Sequence, residues 1–221
     1  MTPITLAIFD MAGTTVQDDN QVPQAFTAAL AAHGIAITPE QINGLRGASK
    51  RQAIAALLPS GADLAARTEK VYATFVAELA RAFEGTAREV PGAAAVFARL
   101  RANGIKVALN TGFDRDTTRM LMRALRWDES MVDASACGDE VAQGRPAPDL
   151  IQCCMQLTGI SDTRAVANLG DTVLDLRAGH AAGVGLNIGV LSGAHGRGQL
   201  AAEPHHHLLA SVVDLPALLL H

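Results

Sequence analysis

The chain has 221 residues, 49% of them hydrophobic, and a formal net charge of −4. It can bury a sizeable core, as one domain with an insertion or as two modest domains, and the lack of a basic run argues against a nucleic-acid partner. No apolar stretch reaches membrane-spanning length and no signal peptide is evident, so we expect a cytoplasmic protein without a membrane partner.

The first part of the chain combines one strand with a helical segment. The apolar run 4–9 is typical of a buried strand. Apolar residues at helical spacing then predict helices at 24–33, 52–58 and 65–83, with a further helix opening at Thr38. We find no convincing strand between 17 and 89, so this segment is predicted to be an all-helical inserted domain.

The remainder alternates strands and helices, which predicts a parallel sheet with right-handed crossovers. We therefore predict an α/β core formed by residues 1–16 and 90–221, with 17–89 as the inserted domain. The predicted helices are 93–102, 115–125, 149–158 and 175–183, and the predicted strands are 106–110, 132–137, 165–169 and, as the last, 184–188.

Chemically active residues follow the ends of several predicted strands. The carboxyl ends of parallel strands share one edge of a sheet, where open α/β folds bind ligands. Singly, each residue has an ordinary explanation as a helix cap, a turn former or a solvated charge. Together they fit Mg²⁺, which prefers oxygen ligands, and a phosphorus oxyanion. The set comprises Asp10, Ala12, Gly13, Thr14, Thr111, Gly112, Arg145, Asp171 and Asp175.

The segment 8–16, IFDMAGTTV, carries the resemblance to a known family. It resembles the DxDGT signature of the haloacid dehalogenase (HAD) superfamily, except that Ala12 replaces the second aspartate. It looks like the FDWAGTTV of the phosphonatase branch, the phosphonoacetaldehyde hydrolases. The resemblance covers nearly the whole chain and implies a Rossmann-like HAD core with a helical C1 cap inserted after the first strand.

The resemblance also implies a role for each position of the motifs. Asp10 corresponds to the nucleophile that forms an aspartyl-phosphate. The Ala12 carbonyl and the Asp10 and Asp171 carboxylates correspond to Mg²⁺ ligands, with Asp175 acting behind them or through water. Thr111 and the Gly112 N–H group correspond to the residues that hold the phosphoryl oxygens, and Arg145, in a GRP context, balances the carboxylates.

Ala12 changes the expected chemistry. In an ester phosphatase the second aspartate protonates the departing alkoxide, and losing such an acid costs about 10²–10⁴-fold in rate. Cleavage of a carbon–phosphorus bond has no leaving oxygen to protonate. It needs an electron sink instead, which an imine between a lysine and a neighbouring aldehyde supplies.

Lys50 is the candidate for that imine. The cap segment 45–50, LRGASK, looks like the phosphonatase segment that carries the Schiff-base lysine. The alternative is a surface charge at the start of a helix. The chain has only three lysines against 15 arginines, and arginine cannot form an imine. Lys70 and Lys106 fit structural positions within a helix and at the start of a strand.

Two residues depart from the phosphonatase pattern. Arg46 stands before the cap glycine Gly47, where phosphonatases have methionine, and Ala53 stands where they have a histidine. Two other functions stay open: a HAD phosphatase or mutase acting on a small phosphate ester, and a phospho-ligand-binding protein without turnover. The resemblance implies a small phosphonate or phosphate as ligand and a homodimer formed through the caps.

Three further segments have no assigned chemistry. His205–His207 is interpreted as a solvated turn, and 193–198 as a loop. The apolar tail 215–220 is suited to packing either on the core or on a partner.

Overall fold

A six-stranded parallel sheet forms the centre of the molecule. The structure is a computed structural model that describes residues 2–128 and 130–220. The sheet order is β3-β2-β1-β4-β5-β6, so β1 is central. From β1 to β3 each new strand is added toward one edge of the sheet, and from β4 to β6 toward the other edge. The strands are β1 (Leu6–Asp10), β2 (Lys106–Thr111), β3 (Ala134–Cys137), β4 (Val166–Gly170), β5 (Leu186–Val190) and β6 (His207–Leu209).

The end of the sheet corrects two predictions. Residues 184–188 are not the last strand, because β5 begins two residues later and β6 follows it at the edge. His205–His207 is not simply a solvated turn, since His207 opens β6 and the Nδ1 atom of His206 accepts the Asn187 N–H group at 2.9 Å. A three-residue edge strand is too short to show alternation of apolar and polar residues.

The inserted segment 17–89, which follows β1 in the chain, contains four helices. The longest, α4, buries Val71, Tyr72, Phe75, Leu79 and Phe83 along one face, at the spacing of an amphipathic helix. Its main partner is α1, where the Phe26 ring meets the Phe75 ring edge-on at 5.8 Å between centroids. These helices are α1 (Gln21–Ala32), α2 (Pro39–Gly44), α3 (Lys50–Leu57) and α4 (Leu64–Phe83).

The chain leaves and re-enters the sheet region at adjacent points. The Gln17 N–H group donates to the Arg88 carbonyl at 2.9 Å, and the Val90 N–H group donates to the Thr15 carbonyl at 2.8 Å. These bonds close the base of the helical segment. The division into domains at 16/17 and 89/90 stays a prediction.

Six further helices surround the sheet in the described part of the chain. All five residues of β1, β4 and β5 are buried, as expected where helices cover both faces of a parallel sheet. Among the described residues, no helix has the length and apolar character needed to cross a membrane. These helices are α5 (Ala93–Ala102), α6 (Arg115–Ala124), α7 (Asp149–Thr158), α8 (Val173–Ala182), α9 (Arg197–Ala201) and α10 (Leu215–Leu219).

The C-terminal segments take defined places on this core. Leu215 is buried, and Leu218, Leu219 and Leu220 pack against the main apolar cluster. The apolar tail 215–220 therefore packs on the core of its own chain. The segment 193–198 is a loop only in part, because α9 begins at Arg197.

Candidate active site

The candidate site lies where β1, β2 and β4 end, on the side of the sheet where the inserted helices lie. Of the twelve residues singled out in the sequence, nine line one cavity of about 600 Å³, counting the part open to solvent. The other three lie against lining residues: Gly13 and Thr14 against Asp171, and Asp175 against Arg145. The nine are Asp10, Ala12, Arg46, Gly47, Lys50, Thr111, Gly112, Arg145 and Asp171.

Arg145 links two of the carboxylates. Its Nη1 atom lies 2.8 Å from Oδ1 of Asp10, and its Nε atom lies 2.8 Å from Oδ1 of Asp175. Nη2 donates to the Oδ1 atom of Asn110 at 2.6 Å, and Nη1 donates to the Gly47 carbonyl at 3.2 Å. This buried guanidinium therefore fixes the Asp10 side chain at the end of β1 and also reaches the cap.

Asp171, just after β4, is held by groups from two loops. Its Oδ1 atom accepts the Thr14 hydroxyl at 3.0 Å, and its Oδ2 atom accepts the Ala194 N–H group at 2.6 Å. A Cβ atom on Gly13 or on Gly193 would lie 2.3 Å or 2.1 Å from Oδ2 of Asp171. Both positions therefore require glycine for the backbone to come this close to the carboxylate.

The loop after β5 is a part of the site that the sequence did not indicate. Besides the Ala194 contact, Ser192 donates its hydroxyl to the Gly13 carbonyl at 3.0 Å. His195 accepts the Val173 N–H group on Nδ1 at 3.0 Å, and its Nε2 atom lies 3.3 Å from the Asn43 carbonyl of the cap. The small residues after β5 were the available signal.

Asp175 serves both the site and its own helix. Its Oδ2 atom accepts the Thr172 N–H group at 3.0 Å and the Thr172 hydroxyl at 2.5 Å, which caps α8. Its Oδ1 atom faces Arg145. Asp175 therefore caps α8 and at the same time contacts the buried Arg145, while its role toward a metal stays a prediction.

The three carboxylates form a group suited to a divalent cation. Asp10, Asp171 and Asp175 are buried and offer oxygen atoms that all lie within 4.8 Å of one another. Burial raises the pKa of Asp10 to about 6, against the opposing effect of Arg145. Burial, followed by repulsion from the Asp10 and Asp175 carboxylates, raises the pKa of Asp171 well above its usual range. An all-oxygen donor set with this excess of negative charge fits Mg²⁺.

The phosphate-binding candidates lie at the end of β2 and on the turn that follows it. Thr111 is buried, and its hydroxyl accepts the Phe113 N–H group at 3.2 Å. Gly112 lies beneath the cap loop, which is residues 45–49 between α2 and α3. A Cβ atom on Gly112 would come 2.5 Å from the Ala48 carbonyl oxygen of this loop. Thr111 and Gly112 thus line the cavity at the point where the cap touches the core.

Lys50 is the first residue of α3 and the only buried lysine of the three in the chain. It is 8% exposed, whereas Lys70 and Lys106 are exposed. Its Nζ atom donates to the Ala48 carbonyl at 3.1 Å. Burial lowers the pKa of Lys50 to about 8, although the Asp10 carboxylate acts in the opposite direction. The ammonium group therefore gives up its proton more readily than an exposed lysine.

Two other cap residues shape the cavity. Gly47 has a φ of +80°, and a Cβ atom there would lie 2.4 Å from the Thr172 hydroxyl. Arg46 lies at the edge of the cavity, with its Nη1 atom 3.7 Å from Oδ2 of Asp18 and its Nη2 atom 3.5 Å from Oδ1 of Asn20. Positive charge therefore reaches the cavity from the cap as well as from the core.

Comparison with known proteins identifies the family. The family model of haloacid dehalogenase-like hydrolases matches residues 4–183. A phosphonoacetaldehyde hydrolase from Hahella chejuensis is 30% identical over 200 residues, which are 82% of this chain and 66% of the relative, slightly under two thirds of its length.

Solved structures agree in fold. A hydrolase from Pseudomonas syringae superposes with a TM-score of 0.86 at 22% identity, covering 96% of both chains. A phosphonoacetaldehyde hydrolase-like protein from Oleispira antarctica gives a TM-score of 0.85 at 21% identity, covering 98% of this chain and 91% of its own. The predicted α/β architecture and the predicted family are thus confirmed, while the roles of the individual residues stay predictions.

Proposed function

The chain belongs to the haloacid dehalogenase-like hydrolases, and on that premise we propose that it cleaves the carbon–phosphorus bond of a small phosphonate aldehyde. With phosphonoacetaldehyde the products are acetaldehyde and phosphate. The observation that supports this most is the position of Lys50: a buried amine in the same cavity as Asp10. The relative from Hahella chejuensis bears the name of this activity.

Ala12 favours this reaction over ester hydrolysis. Ala12 lines the cavity two residues after Asp10. An acid at this position would protonate a departing alkoxide, and the methyl group of alanine cannot donate a proton. Lys50 is positioned instead for covalent chemistry at a carbonyl carbon, because a desolvated amine with a lowered pKa is a nucleophile near neutral pH.

The first half of the proposed reaction prepares the bond for cleavage. The neutral amine of Lys50 adds to the aldehyde carbon, and loss of water leaves a protonated imine. A carboxylate oxygen of Asp10 then attacks phosphorus as the carbon–phosphorus bond breaks. The bonding electron pair moves into the imine, which becomes an enamine on Lys50, while the phosphoryl group remains on Asp10.

The second half restores both residues. Protonation of the enamine carbon and hydrolysis of the imine release acetaldehyde and the free amine of Lys50. Water attacks the phosphorus of the aspartyl-phosphate, which releases phosphate and regenerates the Asp10 carboxylate. With a pKa of about 6, Asp10 is mostly ionised at neutral pH and is therefore available as the nucleophile.

The surrounding residues stabilise charge on the phosphoryl group. Arg145 contacts Asp10 directly, and Thr111 and the Gly112 N–H group lie at the end of β2, beside β1. Asp10 and Asp171, together with the Ala12 carbonyl, would hold Mg²⁺, with Asp175 behind them. Bound there, the ion neutralises charge on the phosphoryl oxygens. The cap loop packs over Gly112 and so covers this side of the cavity.

Substitution of Lys50 tests the proposal. We expect Lys50→Arg to abolish release of phosphate and acetaldehyde from phosphonoacetaldehyde, since a guanidinium forms no imine. Lys70→Arg is the matched control, because Lys70 lies exposed on α4 and its replacement should leave the rate unchanged. Undiminished cleavage by Lys50→Arg would remove the imine from the mechanism.

Two other outcomes would assign the other functions. Hydrolysis of a small phosphate ester that survives Lys50→Ala would identify a phosphatase or mutase that takes its acid from another residue. Binding of phosphate or phosphonate without aspartyl-phosphate formation would identify a binding protein. The presence of Asp10, Asp171 and Asp175 in one buried cluster argues against a binding protein without turnover.

A further inference from the structure

Imine chemistry needs a group that moves protons beside the reacting amine, and the residues discussed so far supply none. Amine addition, loss of water and protonation of the enamine carbon each transfer a proton. No histidine lies among the described residues that line the cavity. The titratable groups that do line it are Asp10, Asp18, Arg46, Lys50, Arg145 and Asp171.

All of these except Asp18 are committed elsewhere. Asp10 is the nucleophile, and Asp171 is held by Thr14 and Ala194. The two guanidiniums keep their protons at every working pH. Asp18 thus remains as the group that can both give and take a proton within this cavity.

The surroundings of Asp18 suit that task. It lies in the segment between β1 and α1, with a side chain that is 7% exposed. Its Oδ1 atom accepts the Val22 N–H group at 3.0 Å, which fixes the carboxylate at the start of α1. Its Oδ2 atom lies 3.7 Å from Nη1 of Arg46, which is longer than a hydrogen bond, so this arginine does not occupy that oxygen.

The electrostatics favour proton exchange between Asp18 and Lys50. Burial raises the pKa of Asp18 above its usual value, and the hydrogen bond from the Val22 N–H group and the nearby cations Arg46 and Lys50 only partly offset this effect. Lys50 is shifted in the opposite direction, since burial lowers its pKa to about 8. The difference between the pKa values of Asp18 and Lys50 is therefore smaller than the difference between an exposed aspartate and an exposed lysine. This favours proton transfer between the two groups within one cavity.

We propose that Asp18 is the proton-transfer residue for the imine half of the reaction, an inference that rests on the proposed function. Its carboxylate takes a proton from the Lys50 ammonium, and the resulting carboxylic acid gives that proton to the departing hydroxyl of the carbinolamine, which leaves as water. After reprotonation from solvent, the same group protonates the enamine carbon. Its carboxylate then takes a proton from the water that hydrolyses the imine.

The test separates imine formation from phosphoryl transfer. Wild type, Asp18→Asn and Asp19→Asn are mixed with phosphonoacetaldehyde, and borohydride quenches the reaction at successive times to trap the Lys50 adduct. We expect Asp18→Asn to form the adduct about 10²-fold or more slowly at pH 7. Asp19→Asn removes the same charge at the adjacent exposed position and should match wild type. Equal adduct rates in Asp18→Asn and wild type would overturn the proposal.

Further variants distinguish proton transfer from positioning. Arg46→Met removes the cation beside Asp18; if it slows adduct formation as much as Asp18→Asn does, Asp18 acts only through Arg46 and the proposal is overturned. In Asp18→Ala, added formate should raise the adduct rate in proportion to its concentration, an effect that a purely structural role would not produce. Asp18→Glu should retain part of the rate.

The result for wild type distinguishes failure of the proposed function from failure of the role proposed for Asp18. If wild type forms neither adduct nor phosphate, the proposed function fails and the role of Asp18 fails with it. If wild type forms both and Asp18→Asn forms the adduct equally fast, only the assignment of Asp18 is lost.

Discussion

Gly112 lies so close to Ala48 that a Cβ atom on the glycine would come 2.5 Å from the alanine carbonyl oxygen. Gly112 belongs to the turn after β2, and Ala48 belongs to the cap loop that leads directly to Lys50. The Lys50 N–H group also points to the Gly112 carbonyl, at 3.5 Å. The cap loop therefore rests directly on the predicted phosphate-binding turn, and its placement depends on the absence of a side chain at residue 112.

We predict that Gly112→Ala lowers kcat/KM by about 10²-fold, because the added methyl displaces the loop that positions Lys50 and misplacement by about 1 Å has effects of that size. Gly198→Ala is the matched control, since a Cβ atom there meets nothing within 4 Å and the residue lies in α9. Steady-state kinetics and thermal unfolding of both variants measure the effect. Unchanged kinetics in Gly112→Ala would mean that this contact does not position Lys50.

Lys50 should make the protein less stable at neutral pH. Its pKa falls from 10.5 to about 8 on folding, so the unfolded state binds more protons between these values and stability rises with pH across that window. Below pH 8 the buried charge of Lys50 lowers the free energy of unfolding by its full amount, roughly 3 kcal/mol at about 1.4 kcal/mol per pKa unit.

We therefore predict that Lys50→Met increases the free energy of unfolding at pH 7, and that this gain declines between pH 8 and pH 10.5. Denaturant unfolding at several pH values measures it, with Lys70→Met at an exposed position as control. A gain that does not change with pH would show that charge burial is not its cause.

Mg²⁺ should stabilise the folded protein through the buried carboxylates. A ligand that binds only the folded state at ten times its Kd contributes about 1.4 kcal/mol, so Mg²⁺ should raise the Tm and a chelator should reverse the shift. Asp171→Asn should lose most of this response. Asp116→Asn, with a side chain that is 91% exposed on α6, should respond as wild type does. An identical Mg²⁺ response in Asp171→Asn would place the cation elsewhere.

The sequence predicted the residues of this site better than it predicted their contacts. Asp10 and Thr111 are the last residues of β1 and β2, Asp171 directly follows β4, and the parallel arrangement of these strands brings such positions together. This part of the site is a consequence of periodicity and topology, both of which are visible in the order of residues.

The contacts made by backbone groups left a weaker signal, the small residues after β2 and β5. The Ala194 N–H contact to Asp171 and the packing of Ala48 on Gly112 depend on loop conformation, which those small residues permit but do not specify. Asp18 was not singled out because it follows no strand and matches no motif. Its place in the cavity results from how α1 begins, which the sequence pattern does not determine.

The most direct measurement is borohydride trapping of the wild-type protein with phosphonoacetaldehyde, followed by peptide mass spectrometry. We expect a reduced two-carbon adduct on the peptide that contains Lys50, none on the peptides that contain Lys70 or Lys106, and release of phosphate and acetaldehyde when borohydride is omitted. Release of phosphate without any adduct on Lys50 would contradict the imine mechanism, and the absence of both adduct and phosphate would exclude this substrate.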